Sequence, residues 1–235
     1  MRKQEWYRQE YRRIRPEWRD SLSIYRDVID EATNSDTRIL DVGCGHGELL
    51  KPVYDKTLHT YGVDPDKEAL DKNTLIKNTV VGTVEDLPFE GNFFDLVVSE
   101  WVLEHLPDPE KAFREIYRVL KPGGRVIFLT PNVWNYNVWI IRAIPNRFHD
   151  FFTKKLYERQ EGDTYPVQYK INSVKRIAKT LEPIGFKKSQ MILNGDPSYI
   201  SFNRPLFALA CLLEKVLDLE PLNFAKVHLI GVYEK

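Results

Sequence analysis

Three glycines at alternate positions follow an aspartate in Asp41-Val42-Gly43-Cys44-Gly45-His46-Gly47, and such a run lets a ligand lie against bare backbone. Glycine adopts the turn dihedrals that bulkier residues avoid, and it leaves no side chain in the way. A dinucleotide fingerprint would read G-x-G-x-x-G, with a pyrophosphate on the following helix. Here the third glycine comes one residue early and Glu48 occupies the place that spacing requires. An acid there would repel a pyrophosphate, and Asp41, just before the turn, suits a cationic ligand. A second acid, Asp64, closes the expected second strand, His59-Thr60-Tyr61-Gly62-Val63. It stands at the separation from the glycine turn where a carboxylate can take both hydroxyls of a ribose. The plainer alternative is that Asp64 only begins the Asp64-Pro65 turn.

Further along, Glu104-His105 precedes Leu106-Pro107. An imidazole titrates near neutral pH, so His105 is the first candidate for a general base, with Glu100 and His149 behind it. The structural alternative is that the Glu104-His105 pair anchors the turn into the next helix. His46, inside the glycine turn, would support a ligand rather than act on it. The two cysteines, Cys44 and Cys211, make no disulfide framework and have no metal-ligand spacing. No metal site is therefore expected, and a reducing, cytoplasmic compartment is.

Short β-branched runs alternate with helical patterns from Arg38 to Thr130, the pattern of successive βαβ units around a mainly parallel sheet. Strands are expected at 38–42, 59–64, 78–82, 94–99 and 125–130. Helices are expected from the glycine turn to about Lys56, from Lys67 to Lys77 behind the N-cap Asp66, and from Asp108-Pro109 to Leu120. Lys121-Pro-Gly-Gly124 should stop the last of these. Residues 131–170 carry Trp134, Tyr136, Trp139, Phe148, Phe151, Phe152, Tyr157, Tyr165 and Tyr169, and read as an aromatic-rich insertion. It is either a lid in which Arg142, Arg147 and Lys154 meet an acceptor, or a satellite core. A helix at 172–181, a strand at 186–193, an apolar helix at 205–219 and a strand at 226–233 complete the pattern. Because residues 206–219 are apolar almost all round, that helix is buried under the last strand, pairs two subunits, or touches a membrane surface.

Taken in order, Asp41-x-Gly43-x-Gly45-x-Gly47, Gly62-Val63-Asp64, Glu85-Asp-Leu-Pro-Phe89, Phe94-Asp-Leu-Val-Val98, Glu104-His105-Leu106 and Leu120-Lys-Pro-Gly-Gly124 resemble the class I, Rossmann-like S-adenosylmethionine-dependent methyltransferases. The resemblance covers residues 36 to 132. It implies an α/β three-layer sandwich around a mainly parallel seven-stranded sheet whose last strand is antiparallel, with S-adenosylmethionine across the carboxyl ends of the first strands. By the same resemblance Asp41, Gly43, Cys44, Gly45 and Gly47 lie along the methionine portion, Asp64 grips the ribose and Pro65 packs on the adenine. Thr83, Val84 and Glu85 face the adenine edge, although the family's usual acid at position 83 is Thr83 here. Ser99 and Glu100 border the methionine and the acceptor. Ser99-Glu-Trp-Val102 lacks the Pro-Pro-aromatic motif of base and glutamine N-methylation. Trp101 stands where metal-holding members of quinone pathways carry a glutamate.

The remaining composition bounds the reading. At 235 residues, with 43% hydrophobic and 29% charged residues and no net charge, the chain has the make-up of an ordinary folded domain. That balance argues against a mainly electrostatic nucleic-acid binder. The basic, aromatic stretch from Arg2 to Arg26 also carries Glu5, Glu10, Glu17 and Asp20, as a solvated amphipathic helix would. One domain is expected over 1–235, made of a helical segment (1–35), a cofactor-binding core (36–132), the insertion (131–170) and the C-terminal part of the sheet (171–235). No apolar run reaches the roughly 18 residues that span a bilayer, and no secretory leader is evident. The expected activity is O-methylation of a small hydroxyl-bearing metabolite, glycan or lipid-linked precursor by a monomer or homodimer. A protein or RNA methyltransferase, or a non-catalytic cofactor-binding module, is the alternative.

Overall fold

All four residues of Ile39-Leu-Asp-Val42 are buried, which requires a strand covered on both faces. In the computed structural model, which describes residues 3–138 and 166–235, this segment is β1 (Ile39–Val42). It lies between β2 (Thr60–Asp64) and β4 (Phe94–Glu100). Outside β2 runs β3 (Asn78–Val81), and outside β4 runs β5 (Leu120–Pro131). With β6 (Lys187–Asn194) and β7 (His228–Glu234), these form one seven-stranded sheet in the order β3-β2-β1-β4-β5-β7-β6. The pairs from β3 through β5 are parallel. β7 runs against β5, with Gly123 N–H donating to Lys235 O at 3.0 Å and Lys235 N–H to Gly124 O at 2.9 Å. Helices cover both faces of the sheet, as the family resemblance implies.

Local chemistry explains most element boundaries. Helix α1 (Lys3–Ile14) is followed by α2 (Ser21–Glu31). A 3-10 turn at Glu48–Leu50 leads into a short α3 (Lys51–Tyr54), where a helix to Lys56 was expected. Helix α4 (Lys67–Lys72) opens as expected on Asp66, whose carboxylate accepts from Glu68 N and Ala69 N. It stops five residues short of Lys77 because Asn73 turns its side chain back to accept from Leu75 N and Ile76 N. Asp108 caps α5 (Pro109–Val119) with proline in the first turn, and Ala112, Phe113, Ile116 and Val119 form its buried stripe. β5 takes over directly at Leu120, earlier than Arg125, through a register shift opposite Phe94 and Leu96. Ser173 caps α6 (Val174–Leu181), and Asn203 caps α7 (Arg204–Leu217). Among the described residues no helix is long and apolar enough to cross a membrane.

The chain divides into two compact units. One comprises Leu22–Thr130, Val167–Ile192 and Leu229–Lys235. Its core packs Tyr25 and Ile29 of α2 with Val53, Leu96, Ile127 and Ile230, all fully buried. The other comprises Met1–Ser21, Pro131–Pro166 and Leu193–His228. There Tyr7, Tyr11 and Trp18 pack with Phe207 of α7, and Tyr136 packs with Leu217 and Val227. The expected lid residues Trp139, Arg142, Arg147, Phe148, His149, Phe151, Phe152, Lys154, Tyr157 and Tyr165 lie outside the described residues.

Candidate active site

Sheet order reverses between β1 and β4, and open α/β sheets bind ligands in the crevice at the carboxyl ends of the strands flanking such a reversal. The glycine turn leaves β1 at that point. Gly43 N–H donates to Val63 O at 2.7 Å and Cys44 N–H to the same oxygen at 3.3 Å, so the turn rides on the end of β2. Gly43, Gly45 and Gly47 all have positive φ, and a Cβ on Gly43 would lie 2.2 Å from Val102 Cγ2. At Gly45 a Cβ would meet nothing within 4 Å, so that face of the turn is open to a ligand.

Two side chains set the shape of the turn. Asp64 accepts from Gly45 N at 2.9 Å on Oδ2 and from Asp66 N at 2.8 Å on Oδ1. It therefore both pins the glycine turn and shapes the Asp64-Pro65 corner. Each carboxylate oxygen still has a second lone pair, which leaves it able to accept from a diol. Asn73 donates from Nδ2 to Gly45 O at 2.8 Å and so clamps the turn from α4. Sequence patterning did not single out Asn73. The only hint was that the helix pattern outran the helix.

Beneath the turn lies a cavity of about 240 Å³ lined by Asp41, Gly43, Cys44, Tyr54, Glu100 and Trp101, among others. Asp41 is buried and accepts a short hydrogen bond from the Tyr54 hydroxyl on Oδ2. Burial first, then the nearby Glu100 and Asp64, push the Asp41 carboxyl up to about 8 despite that bond. Burial likewise raises Glu100 to about 7. The Tyr25 and Tyr54 phenols and the Cys44 thiol are pushed up by burial and by Asp41. No lysine or arginine lines the cavity or acts on Asp41 among the described residues. Ser99 is fully buried, and its hydroxyl has no partner among the described residues. Trp101, directly after β4, has φ 54, a left-handed conformation that bulky residues adopt at a cost and that clusters at functional sites.

An unpaired set of buried carboxyls is unfavourable by itself and becomes favourable once a cation enters. S-Adenosylmethionine carries an ammonium and a sulfonium, so this donor set fits that cofactor and is a poor match for a pyrophosphate. Cys44 contributes shape: its Sγ would lie 2.6 Å from a Cβ on Gly62, so turn and strand touch there.

The other expected residues fall into two groups. Pro65 is exposed beside Asp64, and Thr83 is exposed while Val84 is buried. Glu85 carries a buried Oε1 with no partner among the described residues. His105 is half-buried in the turn after β4, its N–H donating to Val102 O at 2.9 Å, and it does not line the cavity. Glu104 is buried, accepts from Thr130 Oγ1 at 3.1 Å, and takes Gln168 N–H and Tyr169 N–H on its carbonyl at 2.6 and 3.1 Å. Those bonds favour the anchoring role for Glu104. Tyr25, Tyr54 and Trp101 are the site residues that spacing did not mark. The available signal was that a buried carboxylate such as Asp41 needs a hydrogen-bond donor.

Residues 40–128 match the family model described as "Methyltransferase domain". A 105-residue stretch is 42% identical to an uncharacterized methyltransferase of Schizosaccharomyces pombe, covering 38% of this chain and 38% of that protein. The ubiquinone biosynthesis O-methyltransferase of Pseudomonas fluorescens is 28% identical over 66% of this chain and 74% of its own length. Among solved structures, an S-adenosylmethionine-dependent methyltransferase from Mesorhizobium loti superposes with TM-score 0.61 at 18% identity, covering 91% of this chain and 96% of that one. The [4+2]-cyclase SpnF superposes with TM-score 0.57 at 20% identity, covering 89% and 80%. Likeness at that level speaks for the fold, which serves more than one reaction.

Proposed function

This chain belongs to the class I, Rossmann-like S-adenosylmethionine-dependent methyltransferases, and from that premise we propose that it O-methylates a small hydroxyl-bearing acceptor. The observation that carries the cofactor reading is the cation-free acidic cavity of Asp41 and Glu100 beneath a glycine turn pinned by Asp64. In this reading Asp41, Gly43, Cys44, Gly45 and Gly47 enclose the methionine end, with Ser99 and Glu100 completing it from β4. Asp64 takes the ribose hydroxyls. Pro65, Thr83, Val84 and Glu85 border the adenine.

Bound S-adenosylmethionine supplies a methyl group already activated on a sulfonium. The protein's work is then to hold the acceptor in line with that methyl, exclude water and accept one proton. Holding two reactants in line accounts for several kcal/mol of barrier lowering, on the order of 7 or more in favourable cases. Two residues are candidates for the proton. His105 carries an imidazole, the side chain most often used to move a proton in catalysis, in the turn after β4. Glu100 lines the cavity, and burial raises its carboxyl to about 7, where a general base works best. The similarity to enzymes named ubiquinone biosynthesis O-methyltransferase supports oxygen as the acceptor atom. The free thiols of Cys44 and Cys211 support a cytoplasmic setting.

Thermal shift tests the cofactor: stabilisation by S-adenosylmethionine and S-adenosylhomocysteine but not by NAD is expected, and stabilisation by NAD alone would overturn the reading. Acceptor class is tested by following S-adenosylhomocysteine release with diphenols, sugars and amines. Turnover confined to amines would remove the oxygen assignment. His105→Ala and Glu100→Gln separate the bases, since only loss of the true base flattens the pH dependence of kcat.

A further inference from the structure

Tyr25 of α2 carries a hydroxyl that serves no bond within the described residues. Its side chain is fully buried, in the core cluster that holds Tyr54 and Cys44 and against which Trp101 packs. The phenol oxygen has no hydrogen-bond partner among the described residues, although the Ser99 backbone lies beside it. A phenylalanine would fill the same space and leave no polar group unmet.

The groups that act on this hydroxyl are the two acids of the cavity. Asp41 from β1 and Glu100 from β4 both bear on the phenol, and burial together with these acids keeps it protonated, as a donor. Each acid has one side-chain donor of its own, Tyr54 on Asp41 and Trp101 on Glu100. An ionised carboxyl offers about four lone-pair positions, so both acids can take a further donor. The other titratable groups around the cluster are Tyr54 of α3, Cys44 of the glycine turn, Glu48 of the 3-10 turn and Asp64 of β2, and none of them is a cation. Tyr25 does not itself line the cavity. The phenol hydrogen turns about its C–O bond, so it can be aimed at a charged oxygen while the ring stays packed. Tyr233 of β7 is the contrast. It too is fully buried with an unmet hydroxyl among the described residues, but it stacks on Phe128 and the one acid acting on it is Glu182.

We propose that Tyr25 is a positioning residue for the cofactor site, its hydroxyl donating from behind the cavity wall to the Asp41 and Glu100 carboxylates once a cationic ligand holds them in the charged state. The proposal rests on the cofactor reading above. A hydroxyl unmet in the empty protein and met in the loaded one adds to affinity twice, because binding gains a hydrogen bond and also relieves a buried unmet donor.

Calorimetric titration of the wild type and Tyr25→Phe with three ligands tests it. S-Adenosylmethionine carries the ammonium and the sulfonium, S-adenosylhomocysteine keeps the ammonium, and 5′-methylthioadenosine keeps the nucleoside and sulfur but has no charge. Tyr25→Phe should weaken S-adenosylmethionine about tenfold, weaken S-adenosylhomocysteine as well, and leave 5′-methylthioadenosine within about twofold. The pH at which S-adenosylmethionine binding reaches half its maximum should rise, since the lost donor favours ionised carboxyls. The melting temperature of the empty variant should equal or exceed that of the wild type, whereas loss of a structural hydrogen bond would lower it. Tyr233→Phe should be as stable and should bind all three ligands as the wild type does. Equal losses for all three ligands, a lower melting temperature for the empty Tyr25→Phe protein, or an equal loss in Tyr233→Phe would make the hydroxyl structural and overturn the proposal. Unchanged S-adenosylmethionine affinity in Tyr25→Phe would overturn it too and leave the cofactor reading intact. A wild type that binds none of the three would strike the cofactor reading itself, and this proposal with it.

Discussion

Each of the two compact units buries a polar cluster, and the clusters differ in whether they are complete. In the unit that holds α7, Arg8 pairs with Asp196 at 2.7 Å, and the Tyr136 hydroxyl is shared between Glu214 Oε1 at 2.7 Å and Asp196 O at 3.0 Å. His228 sits between Ser21 Oγ at 2.9 Å and Tyr199 OH at 3.1 Å, and burial lowers it to about 4, so it stays neutral. Each of these carboxyls has a cation acting on it from its own unit, Arg8 on Asp196 and Lys226 on Glu214, although burial still raises Glu214 to about 7; even Gly195 is needed, because a Cβ would fall 1.7 Å from Glu214 Oε2. In the unit that holds the glycine turn, Asp41, Glu48 and Glu100 line a cavity with one phenol, Tyr54, one thiol and no lysine or arginine. A closed set of partners is what structural burial requires, whereas an open set with one sign of charge implies that the missing partner comes from outside.

Substitutions that break one cluster should therefore move stability, and those in the other should move ligand affinity. The largest effect is expected from Asp196→Ala, which strands Arg8. It should cost about 3 kcal/mol of unfolding free energy in denaturant titration, with the S-adenosylmethionine Kd changed less than about twofold. A variant as stable as the wild type would show that this cluster is not structural. Next, Asp64→Ala removes the proposed ribose acceptor and one pin of the glycine turn. Its Kd measured calorimetrically should rise about thirtyfold, equivalent to about 2 kcal/mol. An unaltered Kd would leave Asp64 with only its turn-shaping role. The smallest effect is expected from Tyr54→Phe, which removes one hydrogen bond to Asp41. About 1 kcal/mol, or roughly fivefold in Kd, should be lost. Because that bond favours the ionised carboxyl, the pH at which binding reaches half its maximum should also shift upward. No shift would disconnect Tyr54 from the site.

How far the sequence foretold all this depends on whether the signal was local. Asp66 and Asp108-Pro109 mark helix starts through bonds to residues two or three positions on, and both were readable. Asp41, the alternate glycines and Asp64 were readable too, since each serves its own turn or strand end. Tyr54 was not, because its hydroxyl reaches Asp41 across 13 positions through a 3-10 turn and a short helix that took the place of one continuous helix. Asn73 bonds Gly45 across 28 positions and is invisible to any periodicity for the same reason. Helix α7 posed a different difficulty. Leucine and alanine occupy both its faces, so the pattern could not say which side meets the core until Glu214, the apparent exception, proved to be the buried residue.

The unpaired acids also set a sign for pH. Folding raises Asp41 to about 8 and Glu100 to about 7, well above the ordinary carboxylate range. The empty folded protein therefore holds protons that the unfolded chain has released, and these two groups make stability fall as pH rises toward those values. His228, lowered to about 4, acts the other way: its contribution is present above the ordinary histidine range and is lost as pH falls toward 4. A bound cation favours the ionised carboxyls, so cofactor binding should expel protons. Calorimetric titration of S-adenosylmethionine, repeated in buffers of different ionisation enthalpy between about pH 5.5 and 6.7, where the cofactor's own amine stays charged, measures that release directly. The expected result is proton release on binding, tighter binding as pH rises through this range, and loss of much of both in Asp41→Asn. Binding with no proton released, and with equal affinity in Asp41→Asn, would contradict the account.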